Sequence, residues 1–379
     1  LVDYPMNYHV TGAIRLAHSR QRMEEFRHVQ AMGRHMGVEF EEMSNSDMQA
    51  IYPFLETHDL YGGQFDPLDG DIDPAQLTQA LAKGARDLGA KIIRFCPVTA
   101  VDWLGDEWRI TTPNGEIRAE YVVNAAGYRA GELGKMFGRD VPCVSLAHQY
   151  LITEPITELT ARDEKLPLIR DPDSSYYLRQ EKDGLLLGPY EKNCRAHWLS
   201  SDDPMPDDFS FQLYNDDLER LEWYIEDACA RVPILGTAGI TRVVNGPIPY
   251  TPDGLPLIGP MPSVPNAFEA CVFTFGIVQA GGAGKLLAEI IIEGETESDS
   301  WAVDPRRFTD HVDTAYTAAK AIETYSHEYA MHFPQIQWPA GRKSKYSPLY
   351  DRLAAAGAEF GSYGGWERAD WFPANAADR

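Results

Sequence analysis

Apolar residues recur at helical spacing from residue 19 to 36, where Met23, Phe26, Val29, Met32 and Met36 line one side of an amphipathic helix. A second helix is predicted after Asp69-Gly-Asp-Ile-Asp-Pro74. There Asp73 can cap the first turn, Pro74 can occupy the first position, and Leu77, Leu81, Ala85 and Leu88 carry an apolar face to Gly89. The period then shortens. Lys91 to Phe95 and Val98 to Trp103 read as strands, and Trp108 to Thr112 pairs with Ile117 to Val123 across a turn at Asn114-Gly115. That last strand runs into Asn124-Ala-Ala-Gly127, and a buried strand ending in small residues is where open α/β sheets bring a cofactor close to backbone. Three short β-rich pieces follow, 148–153, 175–180 and 184–190, and suggest an antiparallel sheet. A helical pattern returns from Asp216 to Val232, with Leu218, Leu221, Ile225 and Cys229 on one face. After Gly294 the chain turns polar and irregular, with Pro305, Pro334, Pro339 and Pro348, and reads as a linker that wraps or leads elsewhere.

The segment Phe275-Gly-Ile-Val-Gln-Ala-Gly-Gly-Ala-Gly-Lys285 joins glycine turns to a helix expected to run from Gly284 to Gly294. Gly276, Gly281, Gly282 and Gly284 allow a backbone to approach a flat ligand where any Cβ would collide. The amides at the start of such a helix favour an electron-rich or anionic atom, and the N1/C2 carbonyl edge of a flavin fits that description. An ordinary loop before a buried helix would account for the glycines equally well. A phosphate-binding P-loop is excluded, because Lys285 is followed by Leu286 and Gln279 stands where that motif needs its first glycine.

The length, 379 residues, exceeds what one core usually holds, and suits one large unit or two interleaved domains. No apolar run reaches the roughly 18 residues needed to span a bilayer, and no charged-then-apolar leader opens the sequence, so a soluble chain is expected. Thirty-four basic against fifty-seven acidic residues, a net charge of -23, argues against nucleic acid and anionic membranes as partners. Five scattered cysteines without a CxxC pair indicate neither a zinc site nor a disulfide framework, and mildly suggest a reducing compartment. His327 and His332 lie five residues apart instead of four, off a shared helix face, so no metal site is expected there.

An ordered set of motifs resembles the flavin-dependent dimethylglycine and sarcosine dehydrogenases, nearer the dimethylglycine branch. It comprises Thr11-Gly-Ala-Ile-Arg-Leu-Ala17, Asp69-Gly-Asp-Ile-Asp-Pro74, Val123-Asn-Ala-Ala-Gly127, His148-Gln-Tyr150, Tyr176-Tyr-Leu-Arg-Gln-Glu181, Gly188-Pro-Tyr190 and Val244-Asn-Gly-Pro-Ile248, and covers nearly the whole chain. The resemblance implies a mixed α/β (α+β), D-amino-acid-oxidase-like fold. In it a substrate-binding domain (1–74 and 136–240) interleaves with an incomplete FAD-binding lobe (75–135 and 241–300), and 301–379 lead toward a folate-binding aminomethyltransferase-like domain. Family members open with a GxGxxG unit and a histidine bonded to flavin. Leu1 falls after that region and no GxGxxG occurs here, so both ends are expected to be cut and the isolated chain to hold FAD weakly and turn over little. Relatives also carry a glycine near Val272, and a second aromatic where this chain has Arg129.

The chemistry so implied is hydride removal from an N-methyl carbon of dimethylglycine or sarcosine to flavin, which requires a neutral amine. The resemblance places His148 and one of Tyr176 and Tyr177 at the amine. Strand alternation lets only one tyrosine point inward, and Tyr177 is favoured. It further implies FAD contacts from Val98, at the adenine, and from Ala126, Gly127, Gly276, Ile277, Gly281 and Gly282. A substrate carboxylate would want an arginine, and Arg15, Arg179 and Arg242 are equal candidates. Expected partners are the N-methyl amino acid, an electron acceptor (electron-transfer flavoprotein or oxygen) and tetrahydrofolate through the further domain. The expected compartment is the cytoplasm of a bacterium or the mitochondrial matrix of a eukaryote. The competing reading is a non-catalytic relative similar to the regulatory subunit of pyruvate dehydrogenase phosphatase, against which the presence of His148 and Tyr177 counts.

Overall fold

The computed structural model describes residues 2–200, 202–334 and 336–374. Its largest sheet has nine strands, in the order β14 (Ala196–His197), β10 (Val144–Thr153), β13 (Gly184–Pro189), β12 (Tyr176–Glu181), β11 (Leu168–Asp171), β2 (Ala13–Ala17), β4 (Gly62–Asp66) and β3 (Glu41–Met43), with β15 (Ile240–Tyr250) beside β10. Every pair is antiparallel except β11 with β2. The antiparallel sheet expected from the middle of the chain is thus present, and β15 extends it past residue 240.

Alternation along these strands divides two cores. One face sends Ile14, Leu16, Leu151, Ile169, Tyr176, Leu178 and Leu187 against α2 (Asn45–Ile51) and α6 (Glu222–Arg231). The other face sends Val144, Leu146 and Tyr250 against Ala318, Ala321 and Tyr325 of α8 (Thr314–Ser326). The stretch expected to be an irregular linker therefore contributes a helix to the main core. It also holds α9 (Tyr350–Ala355) and a small sheet of β18 (Lys345–Tyr346), β20 (Trp366–Trp371) and β19 (Glu359–Tyr363).

A second unit is built on β16 (Leu257–Pro260), β17 (Ala267–Cys271) and β9 (Val122–Asn124), of which β17 and β9 run parallel. Helix α7 (Gly276–Glu293) packs Ala283 and Leu287 on Ile258 and Phe268 of this sheet. The hairpin sheet of β6 (Ala100–Trp103), β7 (Trp108–Thr112) and β8 (Gly115–Ala119) joins it through Trp108, Met261 and Ala267. A ribbon of β1 (Tyr8–His9) and β5 (Asp71–Ile72), with α4 (Ala130–Met136) and α5 (Thr157–Thr160), completes the elements outside the two amphipathic helices.

Those helices form where expected. In α1 (Arg20–His35) Met23 and Phe26 are buried, but Met32 and Met36 are exposed, because Gln30 and Gly33 take the inner positions of the last turns. In α3 (Pro74–Asp87) the Asp73 carboxylate accepts from Ala75 N (2.9 Å) and Gln76 N (3.0 Å), and Pro74 opens the helix. Two strand expectations are corrected. Lys91 to Phe95 is not a strand, since no neighbouring strand pairs with it among the described residues, and Ile93 and Phe95 face solvent. Ile117 to Val123 is not one strand but parts of β8 and β9, in different sheets. Among the described residues no helix is long and apolar enough to cross a membrane.

Candidate active site

The face of the nine-stranded sheet opposite Tyr176 carries the polar side chains. Tyr177 lies across Gly188 of the neighbouring strand, where a Cβ would stand 2.2 Å from the ring carbon Cζ, so only glycine admits this ring. The tyrosine hydroxyl stands 3.5 Å from His148 Nε2, a loose contact between two strands far apart in sequence. Tyr190 packs over both, with ring centroids 5.1 Å from His148 and 6.3 Å from Tyr177. The other tyrosine candidate, Tyr176, is fully buried in the core against α6 and lies on the far side of the sheet from His148.

Behind His148 runs a buried polar chain that sequence reasoning missed. His148 Nδ1 is 2.8 Å from the Tyr325 hydroxyl, which donates to Glu191 Oε2 at 2.5 Å, and Glu191 Oε1 lies 3.0 Å from Arg220 Nη1. Burial lowers the His148 pKa to about 4, helped by the Arg220 charge, so the ring is neutral at pH 7. Burial raises the Glu191 pKa, while the Tyr325 hydroxyl and Arg220 oppose that shift. Tyr325 and Glu191 come from α8 and from the turn after β13, regions without periodic signal. The motif Gly188-Pro-Tyr190 was visible but carried no assignable role.

Arg15, Arg170 and Tyr177 sit side by side across β2, β11 and β12. Arg170 is ion-paired to Asp69, whereas Arg15 makes no hydrogen bond or ion pair to any described residue. Burial first and the Arg170 charge second lower the Arg15 pKa, while Tyr329, Asp69 and Asp66 oppose that shift. Arg179 is committed to Glu181 at 2.5 Å. Arg242 lies on β15, opposite Ile152 of β10. Arg15 lies in the cross-strand row of Tyr177, and Arg179 lies two residues along β12 on the same face, where its charge acts on the Tyr177 hydroxyl.

The second unit supplies a different surface. Parallel β9 and β17 end at the same edge, so Ala126 and Gly127 after one strand and Phe275 and Gly276 after the other emerge together. The helix begins at Gly276 and not at Gly284. The glycines cost it roughly 1 kcal/mol each against alanine, and packing of its apolar face on β16 and β17 offsets this. Gly276 and Ile277 consequently supply first-turn amides, with no side-chain cap upon them. A Cβ at Gly127, Gly281 or Gly282 would meet nothing within 4 Å, and the buried Gln279 Oε1 has no hydrogen-bond partner. Val98 lies in extended, partly covered chain just before β6. Phe275 connects the two surfaces, its ring centroid 6.5 Å from that of Tyr190. A separate cleft of about 1190 Å³, between α4, residues 197–207 and residues 306–317, holds neither His148 nor Tyr177.

The model of the family described as FAD dependent oxidoreductase matches residues 2–290, and that of its central domain matches residues 293–347. The chain belongs to the FAD-dependent oxidoreductases. It is 39% identical over 373 residues to mitochondrial dimethylglycine dehydrogenase of Homo sapiens, covering 97% of this chain and 43% of that protein. Mitochondrial sarcosine dehydrogenase of Homo sapiens is 36% identical over 372 residues, covering 95% and 39%. The chain thus spans less than half the length of these relatives. The crystal structure of L-proline dehydrogenase from P. horikoshii shares the fold, with a TM-score of 0.67 at 24% identity over 80% of this chain and 78% of that one. The match over 293–347 covers α8, the helix that brings Tyr325 to His148.

Proposed function

We propose that this chain forms the substrate side, and part of the flavin side, of an enzyme that oxidises an N-methyl amino acid such as dimethylglycine or sarcosine. The observation that carries this reading is the meeting of His148 and Tyr177 on one sheet face, joined through Tyr190 and Phe275 to an uncapped helix start. The residues present fit a flavin. The open glycine positions accept a planar ring system, and the Gly276 and Ile277 amides suit its electron-rich edge. Bound there, FAD would supply the acceptor for a hydride leaving the N-methyl carbon.

The chain's own residues would then bind, orient and deprotonate. The substrate carboxylate pairs with Arg15 and adjoins Arg170, meeting a guanidinium that forms no ion pair with a described residue. The amine lies toward Tyr177 and His148 Nε2. The burial that keeps His148 neutral also disfavours the substrate ammonium, so the site selects the amine whose lone pair can assist hydride loss. An electron acceptor and tetrahydrofolate are further proposed partners, drawn from the resemblance of the motifs.

The test is anaerobic bleaching of the flavin in the FAD-loaded full-length protein. Dimethylglycine or sarcosine should bleach it, dimethylamine should do so poorly, and Arg15→Met should raise KM roughly ten- to hundredfold, the worth of a charged hydrogen bond. A flavin that no N-methyl amino acid reduces would favour the non-catalytic reading.

A further inference from the structure

We propose that Tyr325 and Glu191 are positioning residues that fix the tautomer of His148, keeping the proton on Nδ1 and the lone pair of Nε2 directed at the substrate amine. The inference rests on the reading of His148 as the amine contact. Its geometry comes from one chain of buried groups with a single consistent direction.

Proton counting sets that direction. Arg220, with Nη1 3.0 Å from Glu191 Oε1 and Nε donating to Asp217 Oδ2 at 3.0 Å, is always a cation and holds Glu191 as a carboxylate. A carboxylate only accepts, so the one phenolic proton of Tyr325 goes to Glu191 Oε2 across 2.5 Å. The Tyr325 oxygen can then only accept from His148, 2.8 Å away, and the imidazole must carry its proton on Nδ1. Nε2 is left with its lone pair on the side of Tyr177. The groups around this ring are Tyr177 from β12, Tyr190 and Glu191 after β13, Tyr325 from α8 and the Arg220 guanidinium, with Tyr329 against Tyr190. Among the described residues no carboxylate hydrogen-bonds to His148 directly. The charge of Glu191 reaches the ring only through the Tyr325 hydroxyl, which makes the chain a polarity relay and not an ion pair.

The substitution Glu191→Gln should reverse the relay without changing its shape. The amide oxygen turns to Arg220, the amide nitrogen donates to Tyr325, Tyr325 donates to His148 Nδ1, and the proton moves to Nε2. Long-range proton–nitrogen NMR on the chain labelled at histidine reads this directly, with His148→Gln identifying the signal. The wild type should show a protonated Nδ1 and a bare Nε2, Glu191→Gln the opposite, and Tyr325→Phe a loss of the single tautomer. A wild type protonated on Nε2, or an unchanged tautomer in a folded Glu191→Gln or Tyr325→Phe chain, overturns the proposal. In the FAD-loaded full-length protein, Glu191→Gln should lower kcat about a hundredfold, the scale of a misplaced proton acceptor, and shift the pH profile, with a smaller effect on KM. A tautomer that reverses while turnover stays unchanged would support the relay and refute His148 as the amine contact.

Discussion

Val272 sits at φ 58° with its side chain fully buried, just before the turn into α7, and a β-branched residue there is strained by about 1–3 kcal/mol. The motif resemblance leads one to expect glycine near this position, and the backbone angle would suit it. Removing the Val272 side chain loses burial against Leu257 and Cys271 but releases the strain. Val272→Gly is therefore expected to change stability by less than about 1 kcal/mol, where a core valine in relaxed backbone would lose roughly 2–4. Denaturant unfolding measures it, and a loss near the upper figure would mean that the angle is not strained. The adjacent tyrosines give a sharper contrast. The Tyr176 hydroxyl is buried without a well-formed hydrogen bond, so Tyr176→Phe should leave both stability and turnover nearly unchanged. Tyr177→Phe should fold equally well yet lose most of its turnover with N-methyl amino acids. Equal activity in the two variants would remove Tyr177 from the site.

At the scale of elements, strands that alternate against a core were legible in sequence and elements that depend on a distant partner were not. His148 and the tyrosine pair stood out through the resemblance of their motifs, and strand alternation then set Tyr176 and Tyr177 on opposite faces. Tyr325 could not be read, since its helix lies in a polar stretch punctuated by Pro305, Pro334, Pro339 and Pro348, and Arg220, within the helical pattern from Asp216 to Val232, carried nothing that points to His148. Glycines punctuate sequence locally, but helix hydrogen bonding is cooperative, so α7 runs through the four glycines expected to precede it. Lys91 to Phe95 has strand composition, but a strand needs a neighbour. The ends of β2 and β11 show how elements are tied: His18 Nε2 lies 2.9 Å from the fully buried Asp171, which also faces Arg231. The hydrogen bond to Asp171 raises the His18 pKa above 6.5 despite burial. A raised folded value means that the protonated fold is favoured. This stabilisation is full below about pH 6.5 and is lost as pH rises through the folded value. Thermal unfolding of wild type and Asp171→Asn should differ most at pH 6 and converge toward pH 8, and a gap that widens with pH would contradict the pairing. His148 has the opposite sign. Its value of about 4 means stability present above 6.5 and lost as pH falls toward 4.

At the scale of the whole molecule, the proposed substrate and flavin surfaces belong to different sheets, and the proposed chemistry needs them at one fixed distance. The two units meet along a seam where Tyr128 and Arg129, just after β9, donate to Phe209 O at 3.4 and 3.0 Å. Thr274 Oγ1 donates to Pro249 O at 3.2 Å, Arg307 holds Asp253 through two hydrogen bonds of 2.8 and 3.0 Å, and the Tyr190 ring meets Phe275. Tyr190 is the shared part, because the same ring also touches His148, Tyr177, Tyr325 and Tyr329. Truncating it should do two separable things. The nine-stranded sheet loses a buried aromatic, worth roughly 3–5 kcal/mol, and the second unit loses its aromatic contact with that sheet. In the flavin-loaded full-length protein, near-ultraviolet circular dichroism follows the aromatic core while flavin fluorescence follows release of the cofactor. Wild type should give coincident transitions, as one cooperative unit does. Tyr190→Ala should separate them, with flavin leaving at lower temperature than the aromatic core melts. Coincident transitions in that variant would mean that the other contacts across the seam couple the sheets without Tyr190, which then serves only to pack its own sheet face.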